Sequence, residues 1–544
     1  MVGYSAELFT GSSLGLLAHF IFKRYEPSVL QFVFTAALVG IAESVFFTIA
    51  QVAISTVAFL IVLSSSILYY RVLSTNHPLH HIPGPLAARA SQLWLFWSLY
   101  RGHPRQIQKD MHERYGPVVR IGPNEVSIAD AASLNVIYGG KPWLKGKSYS
   151  FTASGGAATH EVALSAIRDP KEHAFRRKIW DRAFSIASLK NYQPFITKRV
   201  EQLCEQLDRR CSAVSIDLYQ WLSYLVFDVM TDLAWSGGGD AVLKGRDPDG
   251  AIASARYSLH IAGMTKVLPW LAKHLLGLPW IDSKTLEFRR FSSDMFVKRM
   301  NDKNNTDKES PKDVFYHLLS EGSEDGRQWS INALQADSRQ VVTAGADTTV
   351  SAIAYLFFCL LRSPNHYKRL QKTIDTEFPH ERPLEYDALA KLTLLDAYVN
   401  EALRLEPPIP FQNQRIVPES GYSINGISLP PGTHVRAALY AIARLPNEFS
   451  SPDEFRPERW LIGERVPNER FNAKASAPFI LGPYHCVGRN FAMQEMRYTV
   501  ASLVRRYNMR FADGFNIQEF EKRIEDRSVL EIEHPLEVII ERRQ

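Results

Sequence analysis

The chain has 544 residues and a formal net charge of +6, with both signs well mixed along it. This mixing argues against a nucleic-acid partner, which would call for a basic stripe interleaved with aromatic side chains. The cysteines are too few for a disulfide framework and are typical of a reducing compartment: Cys204, Cys211, Cys359 and Cys486.

The first 75 residues are far more apolar than the rest and predict a membrane anchor. Residues 29–70 are almost continuously apolar, which is too long for one span of about 20 residues and long enough for two. A shorter apolar segment precedes them, so we expect three transmembrane helices at about 9–22, 29–47 and 52–70. One anchor near 52–70, with the earlier segments lying in the interface, is the alternative. Several hydrophobic segments also argue against a cleaved signal peptide.

Basic residues flank the outer apolar segments at Lys23, Arg24 and Arg71. If they mark the cytoplasmic side, three spans place the N-terminus in the lumen and the following domain in the cytosol. Residues 76–90 contain prolines that stiffen the chain and end the membrane helix, so they predict a hinge. One globular domain is then expected at 91–544.

This domain is predicted to be mainly α with a minor β portion. Residues 115–128 alternate and turn like a β-hairpin, and helical patterns dominate from there to about Arg404. Short strands separated by Pro and Gly return between Ile416 and Tyr440.

A long apolar helix pattern contains the polar stretch Gly345-Ala346-Asp347-Thr348-Thr349 and ends at Ser363-Pro364. Glycine weakens a helix and threonine can bond back to carbonyls, so the stretch invites local distortion. Asp347 and Thr348 place an acid beside a hydroxyl, a pair that can relay protons to an oxygen molecule. A solvated polar stripe is the less favoured interpretation, because apolar residues lie on both sides.

Glu401 and Arg404 stand three residues apart at the end of the next helical pattern. Such a pair usually lies on the exposed face of a helix. Downstream, Arg459 in a Pro-Glu-Arg-Trp segment offers a second arginine. Glu401, Arg404 and Arg459 can then form a buried charged triad.

Cys486 lies in a glycine-rich segment just before another helical pattern. Gly482 and Gly488 let the backbone approach a flat cofactor, and Phe479 can pack beside the sulfur. A position before a helix N-terminus favours the thiolate, which is the form that ligates metal. The segment therefore indicates a haem-thiolate site, although on its own it is equally compatible with a structural cysteine.

In this order, the motifs resemble the cytochrome P450 superfamily of haem-thiolate monooxygenases, from the hinge to near the C-terminus. The resemblance implies a P450-like fold behind the transmembrane region and one domain converging on haem b, with Cys486 as the axial ligand of the iron. It assigns proton delivery to Asp347 and Thr348, and to Glu401, Arg404 and Arg459 a structural role on the proximal face. It also implies propionate contacts from His173, Arg177 and Arg415.

Two departures from the family pattern stand out. Tyr484 occupies a position where relatives commonly have arginine or histidine; a phenol can donate a hydrogen bond to a propionate but carries no charge. His485 next to it can compensate. The turn at 411–414, Phe-Gln-Asn-Gln, is larger and more polar than in relatives, which favours an amide-bearing or hydroxylated ligand.

The implied activity is insertion of one oxygen atom from O2 into a lipophilic small molecule, with electrons from NADPH through a reductase and cytochrome b5 as a further candidate donor. A basic group fits a docking site for an acidic electron donor, with a solvated face as the alternative: Arg176, Arg177, Lys178, Arg182, Lys474 and Arg489. The loop 148–160 is expected to close over the substrate.

The multi-span leader and Gly482-Pro483-Tyr484 look like fungal members of secondary metabolism, in the endoplasmic reticulum membrane with the catalytic domain facing the cytosol. A haem-thiolate isomerase or dehydratase and a non-catalytic haem-binding membrane protein are the alternatives. The intact Asp347-Thr348 pair argues against both.

Overall fold

Three apolar helices open the chain: α1 (Ser5–Phe22), α2 (Val29–Glu43) and α3 (Ile49–Val72). They overlap the three predicted segments, although α2 ends at Glu43 rather than at residue 47. The computed structural model describes residues 5–23, 29–149, 162–211, 215–269, 279–302, 312–320, 329–379, 382–410, 413–527 and 529–543.

Small residues let α1 and α3 pack closely. A Cβ at Gly11 would collide with the carbonyl oxygen of Ser55, and one at Gly15 would come too close to that of Phe59. Glycines four residues apart allow two helices to approach each other this closely. Because the contacts advance in the same direction along both helices, α1 and α3 are parallel, and the chain returns through α2.

Two acidic side chains of this bundle have polar partners. Ser55 Oγ donates to Glu43 Oε1 at 2.9 Å, and Gln51 Nε2 donates to Glu7 Oε1. An unpaired carboxylate among apolar helices would be costly. These pairs, which join the start of α1, the end of α2 and the start of α3, explain how the bundle holds its acidic residues.

The rest of the described chain is mainly helical. Its helices are α4 (Leu86–Ala90), α5 (Leu93–Tyr100), α6 (Pro104–Tyr115), α7 (Ala131–Tyr138), α8 (Pro170–Ala183), α9 (Ile186–Asp208), α10 (Leu218–Trp235), α11 (Ala241–Lys244), α12 (Ala251–Val267), α13 (Pro279–Asp302), α14 (Val314–Ser320), α15 (Ile331–Arg362), α16 (Pro364–Glu377), α17 (Tyr386–Leu389), α18 (Thr393–Leu405), α19 (Leu439–Ile442), α20 (Arg489–Arg506) and α21 (Ile517–Lys522).

The strands are short and form small sheets. They are β1 (Val118–Gly122), β2 (Glu125–Ile128), β3 (Ile216–Asp217), β4 (Arg415–Ile416), β5 (Tyr422–Ile424), β6 (Ile427–Leu429), β7 (His434–Ala437), β8 (Tyr507–Phe511), β9 (Ile524–Asp526), β10 (Leu530–Ile532) and β11 (Glu537–Arg542). One sheet has the order β1-β2-β7-β4, with β2 and β7 parallel and the other pairs antiparallel. The others are β3-β11-β8, β9-β10 and β5-β6.

Helix α15 forms the centre of the domain. Ser330 caps it by accepting from the backbone N–H of Ala333 at 3.1 Å, and Pro364 follows its last turn. Every residue from 349 to 361 is buried, and α10 packs along this helix. The observed class, mainly α with small sheets, confirms the prediction.

Among the described residues, two helices are long and apolar enough to cross a membrane, α3 and α15. Most of α15 is buried in the core, whereas most of α3 is exposed. The segment 76–90 that follows α3 is packed against the first sheet: Leu79 and Ile82 are fully buried, and His77 Nε2 lies 3.1 Å from Arg120 Nη2. The predicted hinge is therefore held to the domain by side-chain contacts.

Candidate active site

Cys486 lies in a tight turn that ends at the start of α20. Ile480 and Gly482 adopt positive φ angles of 57° and 67°, and a Cβ at Gly482 would collide with the carbonyl oxygen of Tyr138. Only glycine fits this approach without strain. The backbone N–H of Cys486 donates to the carbonyl of Phe479 at 2.9 Å, which closes the turn.

The Cys486 side chain is both accessible and deeply placed. It is accessible to solvent, although burial by the surrounding protein raises the pKa of its thiol. The backbone N–H groups of Gly488 and Arg489 and the Arg177 guanidinium act in the opposite direction. A sulfur with N–H donors at a helix N-terminus and free access on one side suits a metal ligand.

Cationic side chains from separate segments meet around Tyr484. Lys145 Nζ lies 4.8 Å and Arg415 Cζ 5.1 Å from the centre of the Tyr484 ring. The rings of His173 and Tyr484 are 4.5 Å apart. Arg177 Nη1 donates to the carbonyl of His485 at 2.7 Å. We call Lys145, Arg177 and Arg415, together with the neutral His173 ring, the cation cluster.

The cation cluster is short of negative charge. Burial, with Arg415 and Arg177, lowers the pKa of Lys145 to about 6, and burial with Lys145 lowers that of His173 to about 3. The buried Nε of Arg415 has no hydrogen-bond partner among the described residues. Within the same residues only Arg177 has a carboxylate partner, Asp181 at 2.7 Å. A ligand that carries two carboxylates, as haem does, fits this donor set.

Lys145 was not identified from the sequence. It lies between apolar residues and Gly146, and its Nζ donates to the carbonyl of Ser165 at 2.8 Å. The only indication in the sequence is that this lysine follows apolar residues, which favours a buried side chain. Its proximity to Tyr484, however, depends on the tertiary fold.

Thr348 and Asp347 of α15 have separate partners. Thr348 Oγ1 donates to the carbonyl of Ala344 at 2.7 Å, the expected back-bonding, while the helix remains continuous. Arg256 Nη2 of α12 lies 3.1 Å from Asp347 Oδ1. Burial raises the pKa of the Asp347 carboxyl, and Arg256 acts in the opposite direction.

A chain of alternating charges extends from Asp347. Arg256 also lies 3.3 Å from Glu531 Oε1 of β10, and the other oxygen of Glu531 lies 2.7 Å from His260 Nε2. Sequence reasoning missed Arg256, His260 and Glu531, because they lie on elements that meet α15 only in the folded chain.

Glu401, Arg404 and Arg459 come together in the interior. Arg404 Nε donates to Glu401 Oε2 at 2.8 Å and Arg459 Nε to Glu401 Oε1 at 3.0 Å, and all three side chains are fully buried. Trp460 Nε1 also donates to Glu401 at 2.9 Å. Although burial opposes it, the two arginines hold the pKa of Glu401 below its ordinary value.

The polar turn at 411–414 is only partly described, since Phe411 and Gln412 lie outside the described residues, as does the loop 150–161. Gln414 is buried: its Nε2 donates to Glu125 at 2.8 Å, and its Oε1 accepts from the Ser148 N–H at 3.0 Å. This amide therefore stabilises the fold and is not free to contact a substrate.

The expected basic docking face is smaller than the sequence indicates. Arg176 is buried against Asp337, and Arg177 is buried in the cation cluster. The exposed members are Lys178, Arg182, Lys474 and Arg489.

Comparison with known proteins agrees with this geometry. The family model of Cytochrome P450 matches residues 84–539. Cytochrome P450 67 of Uromyces fabae is 34% identical over 535 residues, which cover 96% of this chain and 97% of that protein. Cytochrome P450 monooxygenase FCK2 of Fusarium pseudograminearum is 32% identical, covering 92% and 91%. Tryprostatin B 6-hydroxylase of Neosartorya fischeri is 32% identical, covering 84% and 81%. Because the match spans most of its length, the chain belongs to the cytochrome P450 family of haem-thiolate monooxygenases.

Proposed function

We propose that Cys486 would ligate the iron of a haem b, for which the Cys486 turn and the cation cluster would supply the binding residues. The observation that carries this assignment is the deeply placed but accessible Cys486 thiol beside a cluster of buried cations. When bound, the haem supplies activation of O2 and insertion of one oxygen atom into an unactivated C–H bond.

Different residues of the site hold different parts of this cofactor. His173, Arg177 and Arg415 bind the propionates, and Tyr484 adds a hydroxyl donor. The cradle consists of Phe479, Gly482 and Gly488. Phe479 packs beside the sulfur, Gly482 lets the turn lie against the backbone of Tyr138, and the missing side chain of Gly488 leaves room next to the sulfur for a flat ring.

Asp347 and Thr348 hold and move protons for oxygen activation. Burial raises the pKa of Asp347, which brings it closer to neutral pH and suits a group that must both take up and release a proton. Since Arg256 engages the Asp347 carboxylate, proton transfer to Thr348 Oγ1 requires that this ion pair loosen. Glu531 offers Arg256 an alternative acidic partner, and His260 contacts the other oxygen of Glu531.

The substrate class is a lipophilic small molecule of fungal secondary metabolism. The names of two relatives, a monooxygenase and a tryprostatin B 6-hydroxylase, support oxygenation over isomerisation or dehydration. A non-catalytic haem protein would not need the proton-carrying role proposed for Asp347 and Thr348.

The electron donor is an NADPH-cytochrome reductase, with cytochrome b5 as a further donor. Lys178 and Arg182 of α8, together with Lys474 and Arg489 near the Cys486 turn, present exposed positive charge. Such a surface attracts an acidic partner over several ångströms.

We infer that residues 1–75 form a three-span anchor in the endoplasmic reticulum membrane, followed by a packed hinge at 76–90 and the catalytic domain at 91–544. Lys23 Nζ lies 3.7 Å from the centre of the Tyr70 ring, so Lys23 and Arg71 mark the same end of the bundle. The positive-inside rule makes that end cytosolic, which places the N-terminus in the lumen and the catalytic domain in the cytosol.

Turnover by the full-length enzyme in membranes tests the function. With purified reductase, we expect NADPH and O2 to be consumed and a lipophilic fungal metabolite to gain one oxygen atom. Conversion of a substrate without NADPH would indicate an isomerase or dehydratase instead, and the absence of any haem-dependent conversion would favour a carrier.

A further inference from the structure

Tyr484 leaves the proposed propionate site without the cation that relatives commonly place there, and Lys145 lies against its ring. We propose that Lys145 binds a haem propionate and supplies the positive charge that Tyr484 lacks. This inference rests on the proposed haem site and adds to it a residue from a different segment of the chain.

The backbone places Lys145 in the site. Lys145 and Arg415 form an isolated antiparallel bridge, so their side chains start from neighbouring positions. Lys145 is only 4% exposed, and its Nζ lies 5.2 Å from the centre of the Tyr149 ring and 4.8 Å from that of Tyr484. The ammonium group is thus fixed between two aromatic faces next to Arg415.

Among the described residues, no acidic group balances the charge of Lys145. Its described hydrogen-bond acceptor is the neutral carbonyl of Ser165, and the charged groups that act on its pKa are Arg415 and Arg177, both positive. A buried ammonium without a carboxylate is costly, and aromatic faces offset only part of that cost. A propionate beside Arg415 would provide the missing negative charge.

Tyr484 and Lys145 then share the role that the family resemblance assigns to one cationic side chain. The tyrosine hydroxyl donates a hydrogen bond, and the lysine contributes the charge. Moving the charge back to position 484 should therefore compensate for its loss at position 145.

The test measures two properties of the full-length holoenzyme in each variant. One is the rate of haem release to excess apomyoglobin, and the other is the midpoint potential of the haem iron. Lys145→Met keeps the length of the side chain and removes its charge, and Lys147→Met is the matched control on an exposed lysine two residues away. We expect Lys145→Met to release haem at least about thirtyfold faster, as when one partner of a buried charge pair is truncated. We also expect a more negative potential, and no change in the Lys147 variant.

Adding Tyr484→Arg to Lys145→Met should restore haem retention. If Lys145→Met accumulates only without haem, recovery of holoenzyme in the double variant supports the proposal. Equal release from Lys145→Met and the Lys147 control overturns it, and so does a double variant that remains defective. In each of those cases an intact thiolate spectrum of the wild type leaves the haem assignment standing, whereas failure of that assignment would remove the spectrum itself.

Discussion

Two buried groups of charges in this domain differ in one respect: the Glu401 triad is complete, and the cation cluster is not. Glu401 receives donors from Arg404, Arg459 and Trp460, and no polar atom of the three charged residues lacks a partner among the described residues. In the cation cluster, Arg415 Nε has no partner there, and Lys145 faces other cations. A buried cluster whose own residues compensate its charges indicates a structural role. A buried cluster with uncompensated positive charge indicates the binding of an anionic ligand.

Removal of the Glu401 carboxylate should destabilise the fold more than the other substitutions below affect it. Glu401→Gln leaves two buried arginines without their anion, which should cost about 3–5 kcal/mol of folding free energy. The measurement is the thermal stability of the holoenzyme in membranes, with Glu454→Gln as an exposed control. A stability loss no larger than that of the control would mean that the triad does not hold the proximal face.

Thr348→Ala should separate oxygen consumption from product formation. We expect the yield of product per O2 consumed to fall about tenfold, because a positioned proton donor is lost. The matched control is Thr343→Ala, since Thr343 makes the same type of bond to a carbonyl on the same helix, at 3.2 Å. Unchanged coupling would assign proton delivery to another group.

Charge reversal on the exposed basic face should slow reduction of the haem. Arg182→Glu with Lys474→Glu should reduce the rate about tenfold at low ionic strength, with a smaller difference at high salt. Stopped-flow reduction by the reductase measures it, and Lys522→Glu on α21 is the exposed control. A rate that does not depend on these charges would contradict docking at this face.

Glu495 of α20 is a further buried carboxyl, and it has no partner among the described residues. Burial raises its pKa from 4.5 to about 8. Between pH 4.5 and pH 8 the folded state keeps a proton on Glu495 that the unfolded state has lost. The contribution of this proton to the free energy of unfolding is therefore fully present below about pH 4.5 and disappears as the pH approaches 8. Wild-type stability should thus fall with rising pH by at most about 1.4 kcal/mol per unit through this group.

Glu495→Gln should remove that slope, because a neutral amide does not titrate. The measurement is thermal stability across the same pH window, for both proteins. Identical pH profiles would show that Glu495 is ionised in the fold and has a partner.

The local motifs of the fold could be predicted from the sequence, but the partners of their residues could not. Proline and serine signals placed the end of α15, and turn residues placed the β1–β2 hairpin. The spacing of Glu401 and Arg404 was visible as well, since it lies within one helix.

Contacts between distant segments account for what was missed. Lys145 lies against the ring of Tyr484, and Arg256 pairs with Asp347. Gln414 donates a hydrogen bond to Glu125. In each case the two residues are far apart in sequence. Arg176 shows the converse, because it lies next to exposed basic residues along the chain but is buried against Asp337. Helical spacing alone does not say which face of α8 meets α15.

Cys486 is the residue that we propose as the ligand of the haem iron. The most direct measurement is the carbon monoxide difference spectrum of reduced membranes that contain the wild type or Cys486→His. A strongly red-shifted Soret band in the wild type, absent from the variant, is the expected result. A band at the position typical of imidazole ligation in folded wild-type protein would contradict the assignment.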